Sequence, residues 1–241
     1  SEEASSVGIG IPGFSSRQTG IITNANSLWL NDKPFKKDLE LALNREVRLM
    51  NDANCFTLSE AVDGAGKDYK SIFGIIIGTG FGGGLSYNKS IIEGSNQIAG
   101  DWGHQPLPYP TKEEQETKIS CPSNNCGRPL CAEQFMSGIG FKDRFNQKHD
   151  TNFTSEEIVK LDLENDPRAN LELGLYEDRM ARLMAVMIGI FDPDAIILGG
   201  GMSNIDRFYK NIPTLIPKYT FSNKIETKIL KNLHGDSSGV R

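Results

Sequence analysis

Hydrophobic positions along the chain follow two different periods. Short β-branched runs bounded by glycine, proline or polar residues occur at residues 7–11 ("VGIGI"), 47–50 ("VRLM") and 72–78 ("IFGIIIG"), and they are typical of strands. Residues 36–47 ("KKDLELALNREV") carry leucines at helical spacing, and residues 53–62 ("ANCFTLSEAV") also indicate a helix. The order strand, helix, strand, helix predicts an α/β layer.

A second unit is predicted to begin near residue 71. Residues 71–94 contain β-branched runs separated by glycines and by "YNKS", a pattern that predicts successive antiparallel strands. Residues 109–131 are polar and predict an irregular loop. Residues 192–204 predict a strand and a glycine turn, and a helix is expected to follow through residues 206–212 ("DRFYKNI"). Residues 167–191 predict a long helix, whose apolar face is expected to comprise Leu171, Leu175, Met180, Leu183, Met184, Met187 and Ile188.

The chain therefore divides, as a prediction, into residues 1–70 and residues 71–241. Two α/β units that meet near residue 70 leave a cleft between them, and such clefts are common places for a ligand.

Composition narrows the class of protein. The chain has 241 residues, a net charge of −5, 24% charged and 38% apolar residues, which describes an ordinary globular protein. The acidic balance argues against nucleic acid as a partner, and the absence of a long apolar run argues against a membrane span. Four cysteines in this length do not indicate a disulfide scaffold. We expect a cytoplasmic protein without a nucleic-acid or membrane partner.

Two glycine runs are candidate phosphate sites. "GTGFGGG" (residues 78–84) follows a strand and could expose backbone N–H groups to a phosphate, with the Thr79 hydroxyl as a further donor. A tight hairpin whose glycines supply positive φ explains the run equally well. "ILGGGMSN" (residues 197–204) could approach a nucleotide at a helix start, or it could be an ordinary turn capped by Ser203 or Asn204.

Three cysteines and a histidine are candidate metal ligands. Cys121, Cys126 and Cys131 recur with four residues between each pair, and His104 lies upstream in "DWGHQ". Three thiolates and one imidazole form a closed tetrahedral zinc shell. The alternative is three unrelated thiols in a loop. Cys55 lies on a predicted helix face and is more simply interpreted as a small apolar residue.

Acidic and amide side chains at turns are the remaining candidates for chemistry. Asn51 and Asp52 follow the strand "VRLM", Asp101 lies in "GDWGH", and Glu133 follows the cysteines. A carboxylate and an amide together could hold a hydroxylated ligand and accept a proton from it. Each could equally be a helix cap or a solvated turn residue.

Seven of these stretches resemble the ROK (repressor, open reading frame, kinase) family of sugar kinases. "GIGIPG", "NDANC", "GTGFGGG", "DWGH", "CGRPLCAE", "ILGGG" and "HGDSSG" occur here in the family's order over nearly the whole chain. The resemblance implies an actin-like, ribonuclease-H-like ATPase fold with two lobes. It implies ATP-dependent phosphorylation of the 6-hydroxyl of N-acetyl-D-glucosamine, with N-acetylmannosamine, glucose and fructose as alternative sugars. A sugar-sensing transcriptional repressor of the same family is the alternative function.

The resemblance also implies a role for each site residue. Asp52 is the general base, and the sugar contacts are Asn51, Asp52, Asp101, His104 and Glu133. ATP phosphates with Mg²⁺ lie against Gly78, Thr79, Gly80, Phe81 and Gly82, and adenosine lies against Gly199, Gly200 and Gly201. His104, Cys121, Cys126 and Cys131 hold a structural Zn²⁺. A homodimer is possible.

Three features depart from the family's pattern. The family has Glu where Asp101 stands, and it has Cys-x-Cys where five positions separate Cys121 from Cys126. The family's opening Asp-x-Gly-Gly-Thr loop has no counterpart here, so we expect a chain shortened at both ends, with an incomplete N-terminal lobe and little kinase activity of its own.

Overall fold

A five-stranded sheet is the largest element of the fold. The computed structural model describes residues 7–25, 27–117, 119–122 and 126–235. The strands in this part of the chain are β1 Val7–Ile11, β2 Phe14–Ser15, β3 Ile22–Thr23, β4 Val47–Asn51, β5 Ser71–Ile77, β6 Phe81–Tyr87, β7 Ser90–Ile91, β8 Ala195–Gly199 and β9 Lys228–Lys231. Its α-helices are α1 Phe35–Leu43, α2 Asp52–Val62, α3 Lys112–Gln115, α4 Ala132–Met136, α5 Gly138–His149, α6 Ser155–Leu163, α7 Pro167–Phe191 and α8 Arg207–Leu215.

The sheet has the order β7-β6-β5-β8-β9. Strands β5, β6 and β7 are antiparallel neighbours, as the sequence predicts, whereas β8 joins β5 in parallel and β9 joins β8 in parallel. The mixed order follows from the connections, because a tight turn joins β5 to β6, whereas helices α3 to α7 lie between β7 and β8 and allow β8 to run parallel to β5. All five residues of β8 are buried, which explains its continuous apolar run.

A separate pair of parallel strands, β1 and β4, lies outside the five-stranded sheet. Strand β1 pairs with β4 from Val7 opposite Val47 to Ile11 opposite Asn51. The chain leaves β4 and enters α2 without an intervening residue, so Asp52 is the first residue of the helix. Strands β2 and β3 form a two-residue antiparallel pair beside it.

Helix α2 packs so closely against strand β6 that a side chain at the contact position of β6 would not fit. A Cβ atom at Gly84 would lie 2.6 Å from Thr57 Oγ1 and 2.8 Å from Asn54 Oδ1, both on α2. A Cβ atom at Gly83, on the opposite face, would lie 2.7 Å from the ring of Phe73. The end of the glycine run is therefore required for packing, and it fixes the position of the α2 N-terminus.

Helix α7 forms the centre of the core below the sheet. Asp166 caps it by accepting hydrogen bonds from the N–H groups of Arg168 and Ala169, with a proline at its first position. The predicted apolar face is wrong at Leu171, which is 54% exposed. In this first part of the helix the buried residues are Leu173 and Tyr176 instead, and position 171 faces solvent.

The loop predicted over residues 109–131 contains a short helix. In α3 the Thr111 hydroxyl accepts the N–H of Glu114, and the Glu114 carboxylate accepts the N–H of Thr111. This capping box has a recognisable spacing, so the prediction of wholly irregular structure is wrong at this point. None of the helices in the described residues is long and apolar enough to cross a membrane.

Glu114 also joins α3 to α7 through a buried ion pair. Its carboxylate accepts from Arg179 Nε at 2.7 Å and from Arg182 Nη2 at 2.8 Å, and all three side chains are at most 4% exposed. Burial alone would raise the pKa of Glu114, but the two guanidinium groups and the N–H of Thr111 lower it to about 2. The ionised carboxylate is thus the stable form in the native protein.

We expect Glu114→Ala to lower the free energy of unfolding by about 3–5 kcal/mol, because it leaves two buried arginines without their shared carboxylate. Urea denaturation at neutral pH measures the loss. Glu113→Ala is the matched control, since the Glu113 side chain is 66% exposed and its loss costs about 0.5 kcal/mol or less.

The pair also predicts an acid dependence. The stabilisation by Glu114 is fully present above the ordinary glutamate pKa and disappears as the pH falls towards the folded-state pKa of about 2. Equal losses of unfolding free energy in Glu114→Ala and Glu113→Ala would contradict the stabilising role of the buried ion pair.

Candidate active site

A cleft of about 550 Å³ lies between the end of the β1–β4 pair and the turn that joins β5 to β6. The predicted site residues among its lining are Asn51, Asp52, Gly78, Thr79, Gly80, Phe81, Gly82, Asp101, His104, Cys126 and Glu133. Residues from four separate stretches of sequence therefore converge on one cavity. Gly199, Gly200 and Gly201 are not part of its lining.

Asp52 and Asn51 are fixed by the junction of β4 with α2. The Asn51 side-chain oxygen accepts the N–H groups of Ala53 at 3.0 Å and Asn54 at 3.3 Å, so Asn51 is the helix N-cap. Its amide nitrogen donates to the carbonyl of Gly13 at 3.1 Å, which ties the "IPG" loop to the helix. The described hydrogen bonds thus give Asn51 a structural task, and its predicted sugar contact remains a prediction.

The Asp52 carboxylate is positioned to accept a proton. Its Oδ1 atom accepts only the N–H of Ala53, at 2.8 Å, among the hydrogen bonds of the described residues. Burial raises the pKa of Asp52, and the bond from Ala53 offsets part of that rise. A partly desolvated carboxylate with a raised pKa is a stronger base than an exposed aspartate, which is what a general base requires.

The turn from Gly78 to Gly80 faces the cleft. A Cβ atom at Gly78 would meet no other atom within 4 Å, so a ligand can approach the backbone there. The five glycines of residues 78–84, all in the described part of the chain, have no left-handed φ, so the run does not serve a positive-φ hairpin. The backbone is therefore open to a ligand at Gly78, while Gly83 and Gly84 serve packing.

Two backbone hydrogen bonds join residues 103–105 to residues 132–133 beside this turn. The N–H of Glu133 donates to Gly103 O at 2.8 Å, and the N–H of Ala132 donates to Gln105 O at 2.8 Å. The ring of Trp102 stacks on Phe81 with centroids 4.9 Å apart. These hydrogen bonds and the ring contact therefore hold the segments that carry Asp101, His104 and Glu133 beside the turn.

Charged groups in these segments affect one another. Burial raises the pKa of Asp101, whereas the nearby charges of His104 and Arg128 lower it in part. Glu133 is 4% exposed, and its Oε2 atom accepts the N–H of Phe81 at 3.1 Å. Asp101, His104 and Glu133 thus line the same cleft as Asp52.

The predicted metal ligands meet at one point. One donor atom from each of His104, Cys121, Cys126 and Cys131 lies within 4.8 Å of every other. The sulfurs of Cys121 and Cys131 are 3.3 Å apart, and His104 Nδ1 is 3.7 Å from Cys131 Sγ. Zn–S bonds of about 2.3 Å in a tetrahedron place sulfurs roughly 3.8 Å apart, so the donor set and its spacing fit zinc.

The electrostatics of the cluster suit a cation. Hydrogen bonds from Cys121 and His104 lower the pKa of Cys131 to about 4, although burial opposes the shift. The hydrogen bond with Cys131 raises the pKa of His104 to about 9, so zinc binding must displace a proton from this imidazole. Because the four donor atoms all lie within 4.8 Å of one another, the wider gap between Cys121 and Cys126 does not keep the thiols apart. Cys55 is not a member of this group.

The second glycine run lies at the end of β8. Gly200 has a φ of +79°, and a Cβ atom there would lie 2.5 Å from Ile77 O, so only glycine fits. The Ser203 hydroxyl donates to Gly200 O at 2.7 Å. Gly201 is exposed and has open space at its Cβ position. Its predicted contact with adenosine remains a prediction, and the "HGDSSG" motif extends beyond the described residues after Gly235.

Sequence reasoning missed several residues of the cleft, including Phe14, Leu28 and Arg128. Arg128 donates to the carbonyl of His104 at 3.1 Å. Its position between two cysteines of the candidate zinc loop is a signal that could have identified it, because such a loop is held beside the cleft. Phe14 and Leu28 have no comparable signal.

The fold and the cleft belong to a known class of proteins. The ROK family profile matches residues 1–241, so the chain is a member of the ROK family, as the resemblance of its motifs predicts. A ROK family glucokinase from Streptomyces griseus, solved with glucose and AMPPNP, has the same fold with a TM-score of 0.82 and 22% identity. That alignment covers 98% of this chain and 78% of the glucokinase. The predicted fold class is thereby confirmed.

More similar relatives share a single name. The N-acetyl-D-glucosamine kinase of Vibrio cholerae serotype O1 is 36% identical over 235 residues, which is 98% of this chain and 78% of the relative. The N-acetyl-D-glucosamine kinase of Mannheimia succiniciproducens is 38% identical over 240 residues, again 98% of this chain and 78% of the relative.

Proposed function

We propose that this protein is a sugar kinase that transfers the γ-phosphoryl group of ATP to the 6-hydroxyl of N-acetyl-D-glucosamine. Curated relatives of that activity match nearly the whole chain. The observation that carries the proposal is the placement of Asp52 in the same cleft as the open turn at Gly78–Gly80. One cleft therefore contains a carboxylate that can accept a hydroxyl proton and a glycine turn that a phosphate can approach at Gly78.

Asp52 is the general base of the proposed reaction. Its carboxylate accepts the proton of the 6-hydroxyl as the new P–O bond forms. Phosphoryl transfer needs little more from a protein than alignment of the two oxygens and neutralisation of charge. The bond from Ala53 and the cap by Asn51 keep the carboxylate in place at the start of α2.

The other predicted residues bind and orient the two substrates. We assign the sugar hydroxyls to Asn51, Asp101, His104 and Glu133. The phosphates of MgATP are assigned to the segment from Gly78 to Gly82, and adenosine to Gly199–Gly201. Support for the first two assignments comes from the shared cleft, and the third rests on the resemblance alone.

The cluster of His104 and the three cysteines would hold a structural zinc ion. When bound, zinc fixes the loop that carries Cys126 and the start of α4, and it takes no part in the chemistry. His104 Nδ1 lies 3.7 Å from Cys131 Sγ, and we assign this nitrogen to zinc and Nε2 to a sugar hydroxyl. We further propose that residues 1–70 and 71–241 belong to two lobes that close on the substrates.

A coupled assay tests the proposed substrate. With the complete gene product, MgATP and each sugar in turn, we expect N-acetyl-D-glucosamine to give the highest kcat/KM and a kcat of roughly 1–100 s⁻¹. N-acetylmannosamine, glucose and fructose are the comparison sugars. A higher kcat/KM for any of these three, or no turnover with all four, would reject the assignment.

A further inference from the structure

The turn that we assign to the ATP phosphates has few fixed points. Inside it, the N–H of Gly78 donates to Gly80 O at 3.0 Å. From outside, the N–H of Gly138 donates to Gly78 O at 2.8 Å, and Glu133 Oε2 accepts the N–H of Phe81 at 3.1 Å. The last of these is the only bond from a side chain to the turn among the hydrogen bonds described, so Glu133 adds to the two backbone bonds a fixed point that a substitution can remove.

Glu133 lies directly against the turn. A Cβ atom at Gly80 would be 3.1 Å from Glu133 Oε2. The other carboxylate oxygen, Oε1, lies 3.6 Å from the sulfur of Cys121. Glu133 is 4% exposed, yet it contributes to the lining of the cleft. The carboxylate therefore connects the turn, the cysteine cluster and the sugar side of the cleft.

We propose that Glu133 is a positioning residue for the phosphate-binding turn, acting through its bond to the N–H of Phe81. ATP affinity then depends on Glu133 before any sugar binds. A sugar hydroxyl on the same carboxylate orders it further, so that each substrate raises the affinity for the other. The inference rests on the proposed function because it takes the turn to be the ATP site.

Two conservative substitutions of Glu133 distinguish the effect of side-chain length from the effect of charge. Glu133→Gln keeps an oxygen acceptor at the same distance and removes the charge. Glu133→Asp keeps the charge, but its carboxylate is about 1.5 Å short of the Phe81 N–H. A role limited to charge would make the aspartate variant the milder one, whereas a role in positioning the turn makes it the more severe.

The measurement is the Kd of the magnesium complex of a non-hydrolysable ATP analogue, obtained by calorimetry without sugar. We expect Glu133→Asp to weaken binding about tenfold, the value of one lost hydrogen bond to a charged group, and Glu133→Gln to remain within about twofold of wild type. Wild-type affinity in Glu133→Asp, or an equal loss in Glu133→Gln, overturns the proposal.

Amide hydrogen exchange gives an answer even if Glu133→Asp does not fold. The Phe81 amide of the wild-type protein should exchange slowly, and rapid exchange there overturns the proposal. A wild-type protein that binds no nucleotide would refute both the proposed function and this inference. If it binds nucleotide but prefers another sugar, only the substrate assignment fails, and the variants still decide the role of Glu133.

Discussion

Asp52→Asn is expected to lower kcat for phosphorylation of N-acetyl-D-glucosamine by about 10³-fold, the usual contribution of a general base. The amide has the same shape as the carboxylate but cannot accept the proton of the 6-hydroxyl. The Kd of the sugar should change little, because Asn51, His104 and the other polar groups remain. Steady-state kinetics and calorimetry on the complete gene product measure the two quantities.

The control is Asp38→Asn, at an exposed position in the first turn of α1. It makes the same chemical change at a helix start, away from the cleft lining, and should leave kcat unchanged. Near-normal turnover in Asp52→Asn would refute the assignment. A large rise in the sugar Kd with constant kcat would show that Asp52 only binds the sugar.

The raised pKa of Asp52 gives this prediction a pH dependence. The base acts only when ionised, so kcat should increase as the pH rises through the folded-state pKa, which lies above the ordinary aspartate value. Because burial disfavours the charged form, Asp52 stabilises the fold only at pH values where it is protonated. At neutral pH Asp52→Asn should therefore be at least as stable as wild type, although it is inactive.

The sequence was a good guide where local signals agreed with the packing. Strands β5 and β8 are continuous apolar runs and helix α7 has a strong apolar period, and each was predicted. The apolar face of α7 was predicted less well near the start of the helix, because Leu171 satisfies the helical spacing but lies outside the core. Helices α5 and α6 were missed, since their polar sequences give a weak period and they are stabilised by contacts with α7.

The cleft could be predicted as a set of residues but not as a geometry. The motif order placed Asp52, Asp101, His104 and Glu133 in one site, and the structure brings them to one cavity. No local pattern could reveal that Glu133 accepts the N–H of Phe81, because the two residues are 52 positions apart. The division near residue 70 likewise remains a prediction.

The dual use of the glycine run also depends on tertiary structure. From the sequence, all of residues 78–84 are equally suited to a phosphate. In the fold, Gly78 is open, whereas Gly84 lies under Thr57 of α2. One motif thus provides both a backbone site for a ligand and the close packing that places Asp52 opposite it.

Removing the candidate zinc ion should have the largest effect on the loop that carries the cysteines. Protein purified without chelators is expected to contain about one zinc ion per chain, bound by His104 and the three clustered cysteines. With free zinc a thousandfold above its Kd, its removal should lower the free energy of unfolding by about 4 kcal/mol. Metal analysis and denaturation with and without a chelator measure both results.

Cys126→Ser tests the ligand set with little disturbance of the core, because Cys126 is only half-buried, whereas Cys131 is fully buried. It should lose zinc and weaken sugar binding, since His104 and Glu133 are attached to the same loop through Gly103 and Cys131. Cys55→Ser is the matched control, as it removes the fourth thiol outside the cluster and should retain zinc. Protein that contains no zinc and has three freely reactive thiols in the loop would refute the metal site, and equal zinc loss in both variants would refute the ligand set.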